Sequence, residues 1–148
     1  MGYLIQTQQQ TVQILGESSV RNVIEVGFTT EPSNVYCVLV FGTKSFPGVA
    51  LSSLIGAKVA EVADVIEAEM ARDDVIGAAW GQDVDASGLL TAHIDFVVEY
   101  VSANPAVFGP QTGIARVPMT DFDFLGPLSQ VAGRIDDAIA NLQAIANI

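Results

Sequence analysis

Leu90-Thr91-Ala92-His93-Ile94-Asp95-Phe96-Val97-Val98-Glu99-Tyr100 is the stretch that decides the fold of this chain. Leu90, Ala92, Ile94, Phe96, Val98 and Tyr100 fall on one side, and Thr91, His93, Asp95 and Glu99 on the other. A period of two with one apolar and one mostly polar side is the pattern of an antiparallel strand packed on one face only. A sheet of such strands has to be covered on its apolar side, and the segments around this strand supply the cover.

Upstream, Asp83-Val84-Asp85-Ala86-Ser87-Gly88 has the chemistry of a turn, and Val75 to Gln82 suits another strand. Before it stands the strongest helical pattern. Leu51, Leu54, Ile55, Val59, Val62, Val65, Ile66 and Met70 recur at three and four, with Glu61, Asp64, Glu67 and Glu69 read as a solvated acidic face. Earlier still, Ile24, Val26 and Phe28 alternate, Glu31-Pro32-Ser33-Asn34 forms a turn, and residues 35–41 are apolar on both faces, so 22–42 predicts a β-hairpin.

Downstream, residues 102–113 carry Asn104-Pro105, Gly109-Pro110 and Gly113 and read as a loop, followed by a short edge strand from Ile114 to Pro118. A last helix starts near Pro127, with Leu128, Val131, Ile135, Ile139, Leu142 and Ile145 as its stripe. Residues 22–72 and 89–147 read as two similar ββα units. The expected architecture is α+β: one antiparallel sheet of about five to six strands, in ββα-β-ββα order, with two amphipathic helices on one face. An extended N-terminal arm covers 1–21, and a single α+β domain covers 22–148.

That arm is rich in glutamine. It is either a tail without fixed structure or a segment laid on a neighbouring subunit through Gln8, Gln10, Val12 and Ile14, whose apolar members favour burial. Composition favours neighbours. Only 16% of residues are charged, against about 25% in an average domain, yet 17 acidic and 6 basic residues leave a net charge of −11. Mean hydropathy is +0.42, and no run of about 18 apolar residues offers a membrane-spanning helix. The surplus apolar surface points to closed self-assembly. The basic residues are scattered, which disfavours nucleic acid. Met1 to Gln8 lacks the basic and apolar regions of a signal peptide, and the lone Cys37 sits in an apolar run where burial makes it inert.

Two constellations invite chemistry. Asp83, Asp85 and Ser87 with Gly88 begin a calcium loop, but its twelfth position is Ile94 where a bidentate glutamate belongs. A plain hairpin turn is the stronger reading, with a low-affinity cation site as the alternative. His93 and Asp95 share a strand face and suit an acid–base pair, in which case Trp80, Phe96 and Tyr100 would line an apolar pocket of a small ligand-binding domain or enzyme. No activating partner or second histidine accompanies them, so a polar row facing water or a partner is preferred. Trp80 is expected to pack between sheet and helix with its indole N–H on a carbonyl. No catalytic residue and no cofactor is assigned.

A ββα module with the turn Thr29-Thr30-Glu31-Pro32-Ser33-Asn34-Val35-Tyr36, the Asp83–Gly88 hairpin and an alanine-rich closing helix resembles small virion proteins of tailed bacteriophages, especially phages of actinobacteria. The resemblance spans residues 22–147. It implies a non-enzymatic, homo-oligomeric virion component, a minor capsid or decoration protein ahead of a tail or neck protein. The implied partners are itself and other virion proteins such as a major capsid protein, with no nucleic acid and no membrane. The implied location is the virion, after synthesis in a host cytoplasm.

Overall fold

The structure is a computed structural model, described for residues 2–15, 19–42, 51–84, 90–119 and 128–145. It is α+β, with antiparallel strands and two helices. Strands β1 (Gly2–Leu15), β2 (Ser19–Glu31) and β3 (Tyr36–Gly42) form one sheet in the order β1-β2-β3, and helix α1 (Leu51–Met70) follows. Strands β4 (Val75–Val84), β5 (Leu90–Val101) and β6 (Pro110–Met119) form a second sheet in the order β4-β5-β6. A 3-10 turn over Leu128–Gln130 then leads into α2 (Val131–Ile145).

The order is therefore βββα twice, not ββα-β-ββα, and the strands divide into two sheets of three rather than one sheet of five to six. The source of the difference is β1. Residues expected as an arm are extended, but they pair along their length with β2 of the same chain, from Gly2 opposite Glu31 to Leu15 opposite Ser19. Residues 102–113 are also only partly a loop, because β6 begins at Pro110 and runs to the edge position expected for 114–118.

Each sheet buries one face under its own helix. In the first, Val26, Phe28 and Thr30 of β2 and Cys37, Leu39 and Phe41 of β3 share a face by register. They are buried against Ile55, Val59, Val62, Ala63 and Ile66, the stripe read from the sequence of α1. In the second, Ile94, Phe96 and Val98 of β5 sit beside Ala115 and Val117 of β6 and pack with Val131 and Ile135 of α2. Gly113 of β6 lets α2 approach, since a Cβ there would stand 2.7 Å from Leu142 Cδ1. This is the alternation of Leu90 to Tyr100 realised: the Ile94, Phe96, Val98 side is core.

The acidic face expected for α1 is not wholly solvated. Glu61 and Asp64 are exposed, but Glu67 is 4% exposed and Glu69 is also buried. Glu67 lies one and two turns beyond Ala63 and Val59, on the buried stripe itself.

Candidate functional site

Three places carried functional expectations, and they fare differently. His93 and Asp95 lie on the face of the second sheet opposite its core, as alternation along β5 requires. Across the ladder, Asp95 stands opposite Arg116 of β6, and His93 opposite Pro118 on one side and Gly81 of β4 on the other. Arg116 Nε and Nη2 donate to the two Asp95 carboxylate oxygens at 2.8 and 2.9 Å, a bidentate pair. That pairing, with the nearby His93 adding a smaller favourable charge, holds the Asp95 carboxyl below the usual carboxylate range. His93 Nε2 is 3.7 Å from Asp95 Oδ2, beyond hydrogen-bond reach. The imidazole lies over Gly81, where a Cβ would collide with it. The carboxylate that an acid–base pair needs is thus turned to a guanidinium, and the row works as a cross-strand ion pair.

Of the calcium-loop candidates, Asp85 and Ser87 lie outside the described residues, as does the side chain of Asp83. Among the described residues no group of three or more His, Cys, Asp or Glu side chains is arranged to hold a metal ion. Cys37 is fully buried, and burial pushes its thiol up to about 12. Trp80 departs from expectation: its indole Nε1 is buried without a hydrogen-bond partner among the described residues. Phe96 is fully enclosed in the core rather than lining a pocket.

The third place is β1. Gln8, Gln10 and Val12 are exposed and stand opposite Val26, Ile24 and Asn22 of β2, on the side of the sheet that α1 covers. Ile14 takes the next position in that register, opposite Val20, with its side chain outside the described residues. Tyr3 and Ile5 share that side and Leu4 has the other, yet all three are exposed, Leu4 by 53%. So over residues 3–10, whose side chains are all exposed, β1 buries neither face. Among the described residues it pairs with β2 alone, and its outer edge is open. A groove of about 440 Å³ runs beside it, lined by Gln10, Thr11, Val12, Asn22 and Val23. On the side away from α1, Gln6 donates to Thr29 and Gln9 to Glu25, each at 3.3 Å, which braces β1 on β2. Further apolar side chains stand exposed elsewhere, among them Val101 and Phe108 near the β5–β6 connection and Ile114 on β6.

Two clusters that sequence reading did not single out hold this framework. Glu67 accepts three hydrogen bonds: from Thr30 Oγ1 at 2.8 Å, from the Ser33 backbone N–H at 3.1 Å and from Ser33 Oγ at 2.9 Å. It fixes the β2–β3 turn, in which the Glu31–Pro32 bond is cis and Asn34 takes a φ of 56°. Arg72, just beyond α1, forks onto Asp74 at 2.9 and 3.1 Å and also reaches Glu69, Asp136 and the Ala132 carbonyl of α2. The signal for Glu67 was its spacing from Val59 and Ala63. For Arg72 the local carboxylates Glu69 and Asp74 were in view, but nothing pointed to Ala132 and Asp136 of α2, which lie 60 and 64 residues on. Comparison with protein-family models, with curated proteins and with solved structures gives no match for this chain.

Proposed function

We propose that this chain is a non-enzymatic structural subunit that works by self-association. The observation that carries the reading is β1, a strand of 14 residues that is exposed on both faces over residues 3–10 and, among the described residues, open along one edge. An open edge of that length presents a row of unpaired backbone donors and acceptors, a template for another strand. The low share of charged residues and the exposed Leu4, Val12, Val101 and Phe108 support the same reading, since contact with other protein removes such surface from water. The polar row of His93, Asp95 and Arg116 needs no substrate to account for it.

The resemblance to small virion proteins of tailed phages supplies a setting. There the subunit is a minor capsid or decoration protein, with a tail or neck protein as the next choice, and its partners are further copies and a major capsid protein. Its acidic surface keeps it off DNA and keeps free particles apart. Light scattering on the purified chain at micromolar concentration tests the core of the proposal. A mass several times 15.6 kDa is the expected result, and a strict monomer at all concentrations overturns it. Substituting His93 by alanine is expected to leave that mass unchanged; loss of a small-molecule activity in that variant would favour an enzyme instead.

A further inference from the structure

We infer that β1 of one copy pairs antiparallel with β1 of a second copy along its whole length, about a two-fold axis at Gln9. The product is one six-stranded sheet in the order β3-β2-β1-β1-β2-β3. This rests on the self-association proposed above and names its surface and register.

Among the described residues the two sheets have four edge strands, β1 and β3 in one and β4 and β6 in the other. The two outermost in sequence, β1 and β6, differ in how they treat a visiting strand. β6 carries Pro110 and Pro118, an even number of positions apart, so both face the same way across the ladder. A proline cannot donate, and it sits in a strand where its nitrogen faces away from the neighbour. Both therefore blunt the open side of β6. β1 has none of these devices. Residues 2–15 contain no proline and no Asp, Glu, Lys, Arg or His, in a chain of net charge −11. It offers an uncharged edge to a second acidic molecule, and a second copy has the same uncharged strand to offer.

The register follows from the strand itself. β1 holds one extra residue between Ile5, opposite Phe28, and Thr7, opposite Gly27. Counted along β2 with that bulge, matching the strand end to end, Gly2 against Leu15, places Gln9 on the axis. Gln8 then meets Gln10, Thr7 meets Thr11, Ile5 meets Val12 and Tyr3 meets Ile14. Like faces like in each of these pairs, and Leu4 against Gln13 and Gly2 against Leu15 are the exceptions. Sliding the axis to Gln8 sets Ile5 against Gln10, and sliding it to Gln10 sets Val12 against Gln8. Opposed residues of like character are the stabilising unit of an antiparallel pair. Full-length pairing supplies about a dozen backbone hydrogen bonds, one per residue pair, comparable with the roughly ten of a standard protein interface. The two α1 helices fall on the same side of the joined sheet.

The test is cysteine cross-linking in the full chain, in which buried Cys37 stays silent. Gln9→Cys places a thiol against its own copy and is expected to give a disulfide dimer under mild oxidation. Ile5→Cys alone is expected to give about tenfold less, and a mixture of Ile5→Cys with Val12→Cys to restore it, since only opposed positions meet disulfide geometry. Equal cross-linking at all positions, or linkage of Gln9→Cys only when mixed with Ile114→Cys, overturns the pairing. An assembly seen by light scattering in which Gln9→Cys stays reduced overturns the pairing but leaves self-association standing. A monomer overturns both.

Discussion

Thr30 and Glu67 meet across the interior at 2.8 Å, a β2 hydroxyl donating to a buried helical carboxylate. The same hydroxyl accepts from the Val35 N–H at 3.2 Å, so one side chain ties α1 to both ends of the β2–β3 turn. The Glu67 carboxyl oxygens meet only neutral donors here, the hydroxyls and backbone N–H of the turn.

Replacing Glu67 by alanine removes the acceptor for Thr30, for the Ser33 hydroxyl and for the Ser33 N–H at once. Buried donors left without partners carry their full desolvation cost, so a loss of about 2–4 kcal/mol is expected in urea unfolding. Glu67→Gln keeps one acceptor oxygen and the shape, and should lose less. Equal losses would mean that the carboxylate as a whole, and not the side chain's shape with a single acceptor oxygen, holds the turn.

Arg72 is the other tie between distant parts, and it is specific to a guanidinium. Its fork on Asp74 uses Nε and Nη2 while Nη1 reaches Glu69 and the Ala132 carbonyl of α2. Arg72→Lys retains the charge but not the fork, so it should be nearly as destabilising as Arg72→Met, by about 1–3 kcal/mol in denaturant titration. Recovery of wild-type stability by lysine would show that charge alone suffices.

Much of this arrangement is legible in the sequence, and the illegible part has a physical cause. The alternation of Leu90 to Tyr100 correctly marks Ile94, Phe96 and Val98 as core, and the spacing of Ile55, Val59, Val62 and Ile66 correctly marks α1. The same spacing marks Glu67 as buried, and only its charge argued otherwise. β1 shows no such pattern, because periodicity records burial of one face and residues 3–10 of β1 bury neither; Gln and Thr fill both sides. The division into two sheets rests on which distant strands pair, information that no local stretch carries. At the candidate site, the shared face of His93 and Asp95 is visible in a spacing of two. The guanidinium that claims Asp95 arrives from β6, 21 residues on.

That claim has a pH signature. Asp95 and Asp74 are each held below the usual carboxylate range, first by hydrogen bonds from Arg116 and from Arg72. Their folded values lie below the unfolded ones, so their contribution is present above the ordinary carboxylate range, near pH 4, and fades as pH falls through the folded values. Unfolding midpoints measured from pH 6 to pH 2 should fall. In Asp95→Asn and in Asp74→Asn the decline should be shallower than in wild type. An unchanged slope in both variants would show that the two carboxylates titrate alike in folded and unfolded chains.

Salt separates the proposed uncharged contact from one made by ion pairs. Two bodies of net charge −11 repel at long range, and they meet through strands that carry no charge. Raising sodium chloride from about 0.01 M to about 1 M shortens the screening length from about 30 Å to about 3 Å. Repulsion between the bodies is then lost while the strand pairing is untouched, so self-association should tighten, by roughly tenfold in the dissociation constant. An interface built on Arg116 or Arg134 meeting carboxylates of the next copy would respond in the opposite sense, because the same screening weakens attraction. Sedimentation equilibrium across this range reads the sign directly, and weakening with salt would rule out β1 as the contact that joins the copies.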